Sequence, residues 1–264
     1  MTKRACKRIV REGALDADEI GANPYDGGKV RRLPVDRNWA PQMNAYGGSA
    51  HNDDREQGYL KTVKPKSEGQ KALVDAIDVR NLILALGPAG TGKTYLAIAK
   101  AVEALEAGRV GRIVLSRPAI EAGESIGFLP GDMEDKLAPY LRPLYDALSD
   151  RLSMKRVRAL MAEGAIEIAP VGYMRGRTLN NAFVVIDEAQ NCTYVQLKML
   201  LTRLGWNSTM VVTGDPQQSD LLPGLSGLSI VAERFDALAS VAVVRLADRD
   251  IVRHPLVAEM LGVL

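Results

Sequence analysis

The eight-residue segment Gly87–Thr94 reads GPAGTGKT and matches the pattern G-x-x-x-x-G-K-[ST] of a phosphate-binding loop. The glycines let backbone amides approach a phosphate at the start of a helix, where the helix dipole favours an anion. In this pattern Lys93 reaches the β- and γ-phosphates of a nucleotide, and the Thr94 hydroxyl ligates Mg²⁺. The apolar run NLILAL precedes the segment and a helical pattern follows it, as a phosphate loop requires. The predicted nucleotide-binding residues here are Gly87, Pro88, Ala89, Gly90, Thr91, Gly92, Lys93, Thr94 and the following Tyr95.

A pair of acidic residues, Asp187 and Glu188, follows the apolar run AFVVI. An Asp at the end of a buried strand can hold the Mg²⁺ shell, which is the Walker B role. Glu188 is then placed to polarise a water that attacks the γ-phosphate. The alternative is a structural pair that caps the next helix. The phosphate loop upstream favours the catalytic interpretation, with Asp187 as a metal ligand beside Thr94.

A third polar segment, Gly214–Gln218, follows the apolar run TMVVT. In an open parallel sheet, the loops at the carboxyl ends of the strands line the ligand crevice. We therefore predict that Asp215 lies at the nucleotide and that Gln218 contacts the γ-phosphate or its water. A polar β-turn is the alternative, because Gly-Asp-Pro is good turn chemistry.

These segments must be positioned by a sheet, and the chain after about residue 67 has the pattern of one. Continuously apolar runs alternate with helix-period segments, which indicates a mainly parallel sheet covered on both faces. Residues 1–66 are instead rich in turn and breaker residues. We predict an irregular N-terminal arm over 1–66 and one α/β domain over 67–264. The predicted strands cover residues 81–86, 112–116, 165–169, 182–187, 209–214 and 240–246. One predicted helix follows the phosphate loop and ends near residue 106. The other predicted helices cover residues 131–150, 154–163, 194–204 and 226–238.

The composition of the 264 residues is typical of a soluble globular chain, with 47% hydrophobic and 25% charged residues. No apolar stretch is long enough to span a membrane, and we expect neither a membrane segment nor a secretory signal. Cys6, Cys192, His51 and His254 are too few for a disulfide framework or a metal cluster, and they favour the reducing cytoplasm. The net charge of +2 permits contact with nucleic acid without requiring it.

Several segments together resemble the PhoH family, over roughly residues 67–260. They are GPAGTGKTYLA, SRPAIEAGESIGFLPGDMEDKLAPYLRPLYDAL, YMRGRTLNNAFVVIDEAQN, LTRLG, VVTGDPQQ and DIVRHPLV. The block SRPAIEAGESIGFLPGDM is the most specific, since a generic P-loop protein lacks it. The resemblance implies a cytoplasmic ATPase that uses ATP and Mg²⁺, with a single RecA-like core related to superfamily-1 helicases. It also matches Gln70 to an adenine-reading glutamine, whereas the spacing alone favours a glutamine on a helix surface.

The same resemblance suggests contacts with single-stranded nucleic acid, with RNA expected ahead of DNA. The segment SRPAIEAGE stands where superfamily-1 enzymes grip the strand, which makes Arg117 a candidate phosphate contact. The alternative is that this segment packs against the domain's own helices. Arg175 and Arg177 in YMRGRT are candidates for a second nucleic-acid or inter-subunit contact, against the alternative of a solvated loop.

A single RecA-like lobe lacks the partner lobe that gives an arginine finger, and such a finger contributes about 10³–10⁵ in rate. We therefore predict a homo-oligomer, a hexamer, with ATP at the subunit boundaries. Arg253 is the first candidate for the finger and Arg203 the second; Arg253 could instead pair with Asp248 or Asp250.

The predicted function is Mg²⁺-dependent ATP hydrolysis coupled to the binding, remodelling or unwinding of single-stranded RNA. Its predicted catalytic residues are Lys93, Glu188, Gln218 and Arg253. One alternative is a nucleotide-gated oligomeric scaffold without motor activity. A small-molecule phosphotransferase is disfavoured by the segments DEAQ and GDPQQ.

Overall fold

A computed structural model describes the backbone of residues 63–118 and 133–252, and the side chains of residues 63–118 and 140–252. The helices in these residues are α1 (Glu68–Val79), α2 (Lys93–Glu106), α3 (Met133–Ser149), α4 (Met154–Ala162), α5 (Tyr194–Leu201) and α6 (Leu228–Asp236). The strands are β1 (Leu82–Leu86), β2 (Arg112–Arg117), β3 (Ile166–Pro170), β4 (Ala182–Ile186), β5 (Thr209–Gly214) and β6 (Val241–Arg245). Short 3₁₀ helices cover Val171–Met174, Ala189–Asn191 and Asp248–Asp250.

The six strands form one sheet in the order β3-β2-β4-β5-β1-β6, and every neighbouring pair is parallel. Parallel strands buried on both faces need apolar residues at every position, which explains their continuous apolar runs. All five residues of β4 are buried. The predicted α/β fold with a mainly parallel sheet is confirmed.

Helices cover both faces of this sheet. Successive strand residues point to opposite faces. The side chains on one face of the sheet pack against α5 and α6. Val184 and Val212, for example, share a core with Leu197 and Val231. On the other side, α2 packs against the central strands, and α1 and α3 pack against α2. The helix that begins at the phosphate loop is therefore fixed on the middle of the sheet.

The strand order brings three predicted segments to one edge. The carboxyl ends of parallel strands lie on the same side of the sheet, and β5 lies between β1 and β4. Leu86 of β1 is in register with Gly214 of β5, and Ile186 of β4 with Val212. The amide of Gly87 donates to the Gly214 carbonyl at 3.2 Å. The phosphate loop, the acidic pair and the GDPQQ segment are thus neighbours.

The predicted boundaries differ from the observed ones mainly at α5 and α6, which are shorter than expected. At α5, the Thr202 hydroxyl and the Arg203 guanidinium bind carbonyls of the last turn, which satisfies these groups where the helix ends. The prediction did not place α1 or the 3₁₀ helices.

Residues 1–62 of the predicted arm lie outside the described residues, and the domain boundary at residue 66 stays a prediction. Within the described segments, none of the helices combines the length and the apolar character needed to cross a membrane.

Candidate nucleotide site

The phosphate loop connects β1 to α2 through three glycines with positive φ, Gly87, Gly90 and Gly92. Gly92, just before α2, has a φ of 82°, and Gly87 has a φ of 142°. A Cβ atom at Gly87 would collide with the Leu246 carbonyl oxygen. Side chains rarely adopt such φ values, so both positions require glycine. Their backbone leads the chain into the first turn of α2, where a helix N-terminus favours an anion.

Lys93 lies inside this loop and is buried. Its ammonium donates to the carbonyl oxygens of Gly87 at 2.6 Å and Pro88 at 2.7 Å, and to the Thr91 hydroxyl at 3.2 Å. Burial lowers the pKa of Lys93, and the nearby carboxylates of Asp215, Glu188 and Asp187 oppose that shift. The lysine is therefore a desolvated cation held in the loop by carbonyl groups, which a bound phosphate can replace.

Asp187 lies at the centre of the site, just after β4. Its Oδ1 accepts hydrogen bonds from the Thr94 hydroxyl at 2.5 Å and from the Thr213 hydroxyl at 2.8 Å. The two hydroxyls and the carboxylate form a small set of hard oxygen donors. Mg²⁺ binds through one or two carboxylates together with substrate phosphates and water, so Thr94 and Asp187 fit such an ion. No cluster of three or more His, Cys, Asp or Glu residues suited to a metal occurs in the described part of the chain.

Glu188 has a φ of 52°, an uncommon conformation for a residue other than glycine. Its Oε1 accepts a hydrogen bond from Arg117 at 3.2 Å, and its Oε2 accepts one from the Gln190 side chain at 2.5 Å. Arg117 also lies 3.9 Å from Oδ2 of Asp187. A guanidinium from the end of β2 thus faces both acidic residues.

The GDPQQ segment is tied to the acidic pair through Gln190. The Gln190 side-chain oxygen accepts a hydrogen bond from the Asp215 amide at 3.1 Å. Asp215 is buried and accepts the Gln217 amide on its carboxylate at 3.0 Å, while the exposed Gln218 donates its own amide to the Asp215 carbonyl at 3.1 Å. The Gln218 side chain is therefore exposed, and its backbone is tied to Asp215.

Gln70 is buried next to the phosphate loop, although it is remote in sequence. Its side-chain nitrogen donates to the Thr91 carbonyl at 3.0 Å, and its oxygen accepts the Lys66 amide at 2.7 Å. Both polar groups are engaged within the chain. Contact with an adenine edge, as expected from the resemblance, stays a prediction and requires these bonds to be exchanged.

Asp250 fixes the same corner of the site. Its carboxylate accepts the amides of Gly69 at 3.2 Å and Ala247 at 2.9 Å. Hydrogen bonds from Ala247, Ser67 and Gly69 lower its pKa, against a smaller opposing effect of burial. Two residues later, the Val252 amide donates to the Gly90 carbonyl at 3.0 Å. The segment after β6 therefore joins the start of α1 to the phosphate loop.

A cavity of about 330 Å³ lies beside the loop. Its walls come from the ends of three strands. They comprise Leu86–Pro88, Asp215–Gln217 and Arg245–Asp248. The cavity lies at the carboxyl edge of the sheet, where ligands of open α/β sheets bind.

The remaining predicted residues that the structure describes are either exposed or bonded to other parts of the chain. Tyr95 and Arg175 are exposed. Arg177 forms a two-pronged ion pair with Glu167 at 2.5 and 2.6 Å, which raises the pKa of Arg177. Arg203 donates to the carbonyls of Met199 and Arg177.

Two of the predicted arginines, Arg177 and Arg203, are already bonded within the chain. A phosphate contact by Arg177, or a role in trans for Arg203, would have to break bonds within the chain, and both stay predictions. Arg253 lies outside the described residues, as does most of the segment SRPAIEAGE. Asp250 is bound by Ser67, Gly69 and Ala247 among the described residues.

Sequence reasoning missed three residues that organise the site: Thr213, Gln190 and Asp250. Thr213 and Gln190 lie within segments that the sequence marks, but nothing in their spacing shows what they bind. The sequence suggests Asp250 only as a partner for Arg253. Their hydrogen bonds join residues 26, 25 and 181 positions apart, so the sheet order decides them.

A parallel sheet with a phosphate loop after β1 and an acidic pair after β4 defines a P-loop NTPase with a RecA-like fold. The family model described as "PhoH-like protein" matches residues 62–264. The chain belongs to this PhoH-like family, as the motifs predicted.

Relatives whose names carry the same family designation support this family assignment. The chain is 52% identical to the PhoH-like protein of Bacillus subtilis (strain 168) over 76% of this chain and 63% of that protein. It is 48% identical to Protein PhoH of Escherichia coli (strain K12), over 72% of this chain and 55% of that protein. The chain thus spans about 55–63% of the length of these two relatives.

Among solved structures, the large terminase from a thermophilic bacteriophage is 13% identical, with a TM-score of 0.48. That similarity covers 75% of this chain and 50% of the terminase, and it is too low to bear on function.

Proposed function

We propose that the chain is a Mg²⁺-dependent ATPase that couples hydrolysis to the binding of single-stranded nucleic acid, with RNA preferred. The observation that carries the proposal is the convergence of Lys93, Thr94, Asp187 and Glu188 at the carboxyl ends of β1 and β4. A cation, two hard oxygen donors and a second carboxylate are the parts that hydrolysis of a nucleoside triphosphate needs.

Each residue has a role in that reaction. The loop amides and Lys93 bind the β- and γ-phosphates and exchange the carbonyl contacts of Lys93 for phosphate oxygens. Thr94 and Asp187 would hold Mg²⁺, which neutralises charge on the phosphates when it is bound. Glu188 accepts the proton of a water whose oxygen bonds to the γ-phosphorus as the bond to the β–γ bridging oxygen breaks. The exposed Gln218 orients that water or the γ-phosphate.

Arg117 and the exposed Arg175 are the proposed contacts to the phosphodiester backbone. Arginine binds phosphate with two parallel hydrogen bonds, and polymer binding through such contacts weakens with salt. The proposal retains a homohexamer with ATP at the subunit boundaries and Arg253 acting in trans, in the cytoplasm. The family relationship supports the nucleotide chemistry; the polymer, the assembly and the location are parts of the proposal.

The test is steady-state ATP hydrolysis with and without single-stranded RNA and DNA. Lys93→Ala should lower turnover by at least about 100-fold, because it removes a preorganised cation from the phosphates. Lys71→Ala, on the exposed face of α1, is the matched control and should hydrolyse like the wild type. Undiminished turnover in Lys93→Ala contradicts the site.

The polymer arms of the same experiment separate the proposal from its alternative. Severalfold stimulation by RNA, with less by DNA, agrees with a nucleic-acid-coupled ATPase. Turnover that ignores both polymers contradicts the coupling and favours a nucleotide-gated scaffold. Sedimentation velocity with and without ATP measures the assembly, and a monomer with full activity contradicts the trans arginine.

A further inference from the structure

The carboxylate of Glu188 has a protein partner on each oxygen. Arg117 donates to Oε1 at 3.2 Å and Gln190 donates to Oε2 at 2.5 Å. The other terminal nitrogen of Arg117 lies 3.9 Å from Oδ2 of Asp187. The last residue of β2 therefore places one guanidinium against both acidic residues of the site.

This arrangement opposes the role of Glu188 in hydrolysis. A general base must have an oxygen within hydrogen-bond reach of the water that it deprotonates. Gln190 fixes the carboxylate through Oε2, which leaves Oε1 for the water, and Arg117 occupies Oε1. Glu188 also has a φ of 52°, a conformation that persists only where the surroundings impose it. Its neighbours therefore decide where the carboxylate points.

The contact between Arg117 and Glu188 is of a kind that exchanges readily. The two side chains are 21% and 38% exposed, so solvent and solutes reach both. The contact is partly buried, and ion pairs that solvent reaches contribute only modest net stability. A guanidinium binds phosphate with the same fork of donors that it offers to a carboxylate. A phosphodiester at the end of β2 can therefore replace Glu188 as the partner of Arg117.

We propose that Arg117 is a positioning residue that holds Glu188 away from the catalytic water until a phosphodiester of single-stranded nucleic acid takes its guanidinium. The proposal rests on the proposed function, in which Glu188 is the base. It gives the coupling a physical basis, since the same donors of Arg117 cannot serve Glu188 and a phosphate at once. Polymer binding frees one carboxylate oxygen, and hydrolysis accelerates.

The first test measures polymer binding in the absence of nucleotide, by fluorescence anisotropy of a labelled single-stranded RNA. Glu188→Gln weakens the hold on Arg117 and should tighten RNA binding about three- to tenfold, within the range of coupling between contacting residues. In an Arg117→Gln background, the same Glu188→Gln substitution should leave the affinity nearly unchanged. An equal gain in RNA affinity with Arg117 and with Arg117→Gln means that Glu188 only repels the polymer, which overturns the proposal. The absence of any gain in affinity overturns it as well.

The second test measures ATP turnover. Arg117→Gln should raise turnover without polymer about twofold or more, should reduce the stimulation by RNA to nearly none, and should leave the KM for ATP close to that of the wild type. Arg112→Gln, at the other end of β2, is the matched control and should keep wild-type turnover and stimulation. A fall in basal turnover in a folded Arg117→Gln protein overturns the proposal, because Arg117 then assists hydrolysis directly.

Arg117→Lys covers the case in which Arg117→Gln does not fold. Lysine keeps the charge but lacks the planar fork, so basal turnover should again rise and RNA stimulation should fall by a smaller amount. Unchanged basal turnover in Arg117→Lys overturns the proposal. A wild type that neither binds nor responds to either polymer contradicts the proposed function itself. If RNA stimulates the wild type but Glu188→Gln raises RNA affinity equally with and without Arg117, only the role of Arg117 is contradicted.

Discussion

The Thr94 hydroxyl donates a 2.5 Å hydrogen bond to Oδ1 of Asp187, although the two residues are 93 positions apart in the chain. Thr94 lies in the first turn of the helix after β1, and Asp187 follows β4. The strand between them, β5, adds the Thr213 hydroxyl to the same carboxylate oxygen at 2.8 Å. Three elements therefore meet on one oxygen atom, and this meeting organises the site.

Thr213→Val should weaken this centre without changing the shape of the strand. Thr213 is fully buried, and valine replaces its hydroxyl by a methyl group, so Asp187 loses one donor. We expect the free energy of unfolding to fall by about 1–2 kcal/mol and the Mg²⁺ concentration for half-maximal ATP hydrolysis to rise. Urea unfolding and a Mg²⁺ titration of turnover measure the two effects. Thr209→Val, at the start of the same strand, is the control. An equal Mg²⁺ requirement in the wild type, Thr213→Val and Thr209→Val contradicts the role of Thr213.

Gly214→Ala should disturb Glu188 through Gln190. A Cβ atom at Gly214 would lie 2.8 Å from the Gln190 side-chain oxygen and 2.7 Å from Cδ2 of Leu228, closer than carbon atoms pack. Overpacking of this kind costs about 1–3 kcal/mol, and a displaced Gln190 no longer fixes Glu188. We expect ATP turnover to fall about tenfold or more in protein that remains folded.

Gly172→Ala provides the comparison for that variant, because its added Cβ meets nothing within 4 Å. It should keep wild-type turnover and stability. Wild-type turnover in Gly214→Ala would show that Gln190 does not position Glu188.

Asp250→Asn tests the corner that joins α1 to the segment after β6. The Asp250 carboxylate accepts amides of Gly69 and Ala247, and hydrogen bonds lower its pKa below the ordinary value of 3.8. A lowered carboxyl pKa stabilises the folded state above the unfolded value, and this contribution disappears as the pH falls through the folded pKa. We expect Asp250→Asn to lower the free energy of unfolding by about 1–3 kcal/mol at pH 7.

The pH dependence separates the charge of Asp250 from its shape. The difference in unfolding free energy between wild type and Asp250→Asn should shrink as the pH falls below about 3.8. Urea unfolding at pH 7, 5 and 3.5 measures it, with the exposed Asp248→Asn as a control of small effect. A difference that stays constant over this range contradicts the carboxylate's role.

Cys192 should be unreactive in the folded protein. It is fully buried after the 3₁₀ helix Ala189–Asn191, and burial raises its thiol pKa to about 12. Only the thiolate reacts readily, so in a Cys6→Ser protein we expect almost no reaction with a disulfide reagent at pH 8. Unfolding in urea should release one reactive thiol per chain. Rapid labelling of the native Cys6→Ser protein would contradict this packing.

The sequence by itself determined the strands and the types of chemistry. Hydrophobic runs such as AFVVI are local signals, and a strand buried on both faces shows them whatever its neighbours are. The phosphate loop is also local, because its glycines and Lys93 act through consecutive backbone groups. For this reason the parallel α/β fold and the residues of the loop followed directly from the order of the amino acids.

Only the tertiary structure decided which side chains are partners. Arg117 was predicted to contact nucleic acid, and the structure places its guanidinium on Glu188 and near Asp187. Arg177 was given the same role, and it pairs with Glu167. Gln70 was placed on a helix surface by its spacing, yet it is buried against Thr91. These contacts depend on strand order, on register and on which face each helix covers, and such long-range packing leaves no local pattern in the sequence.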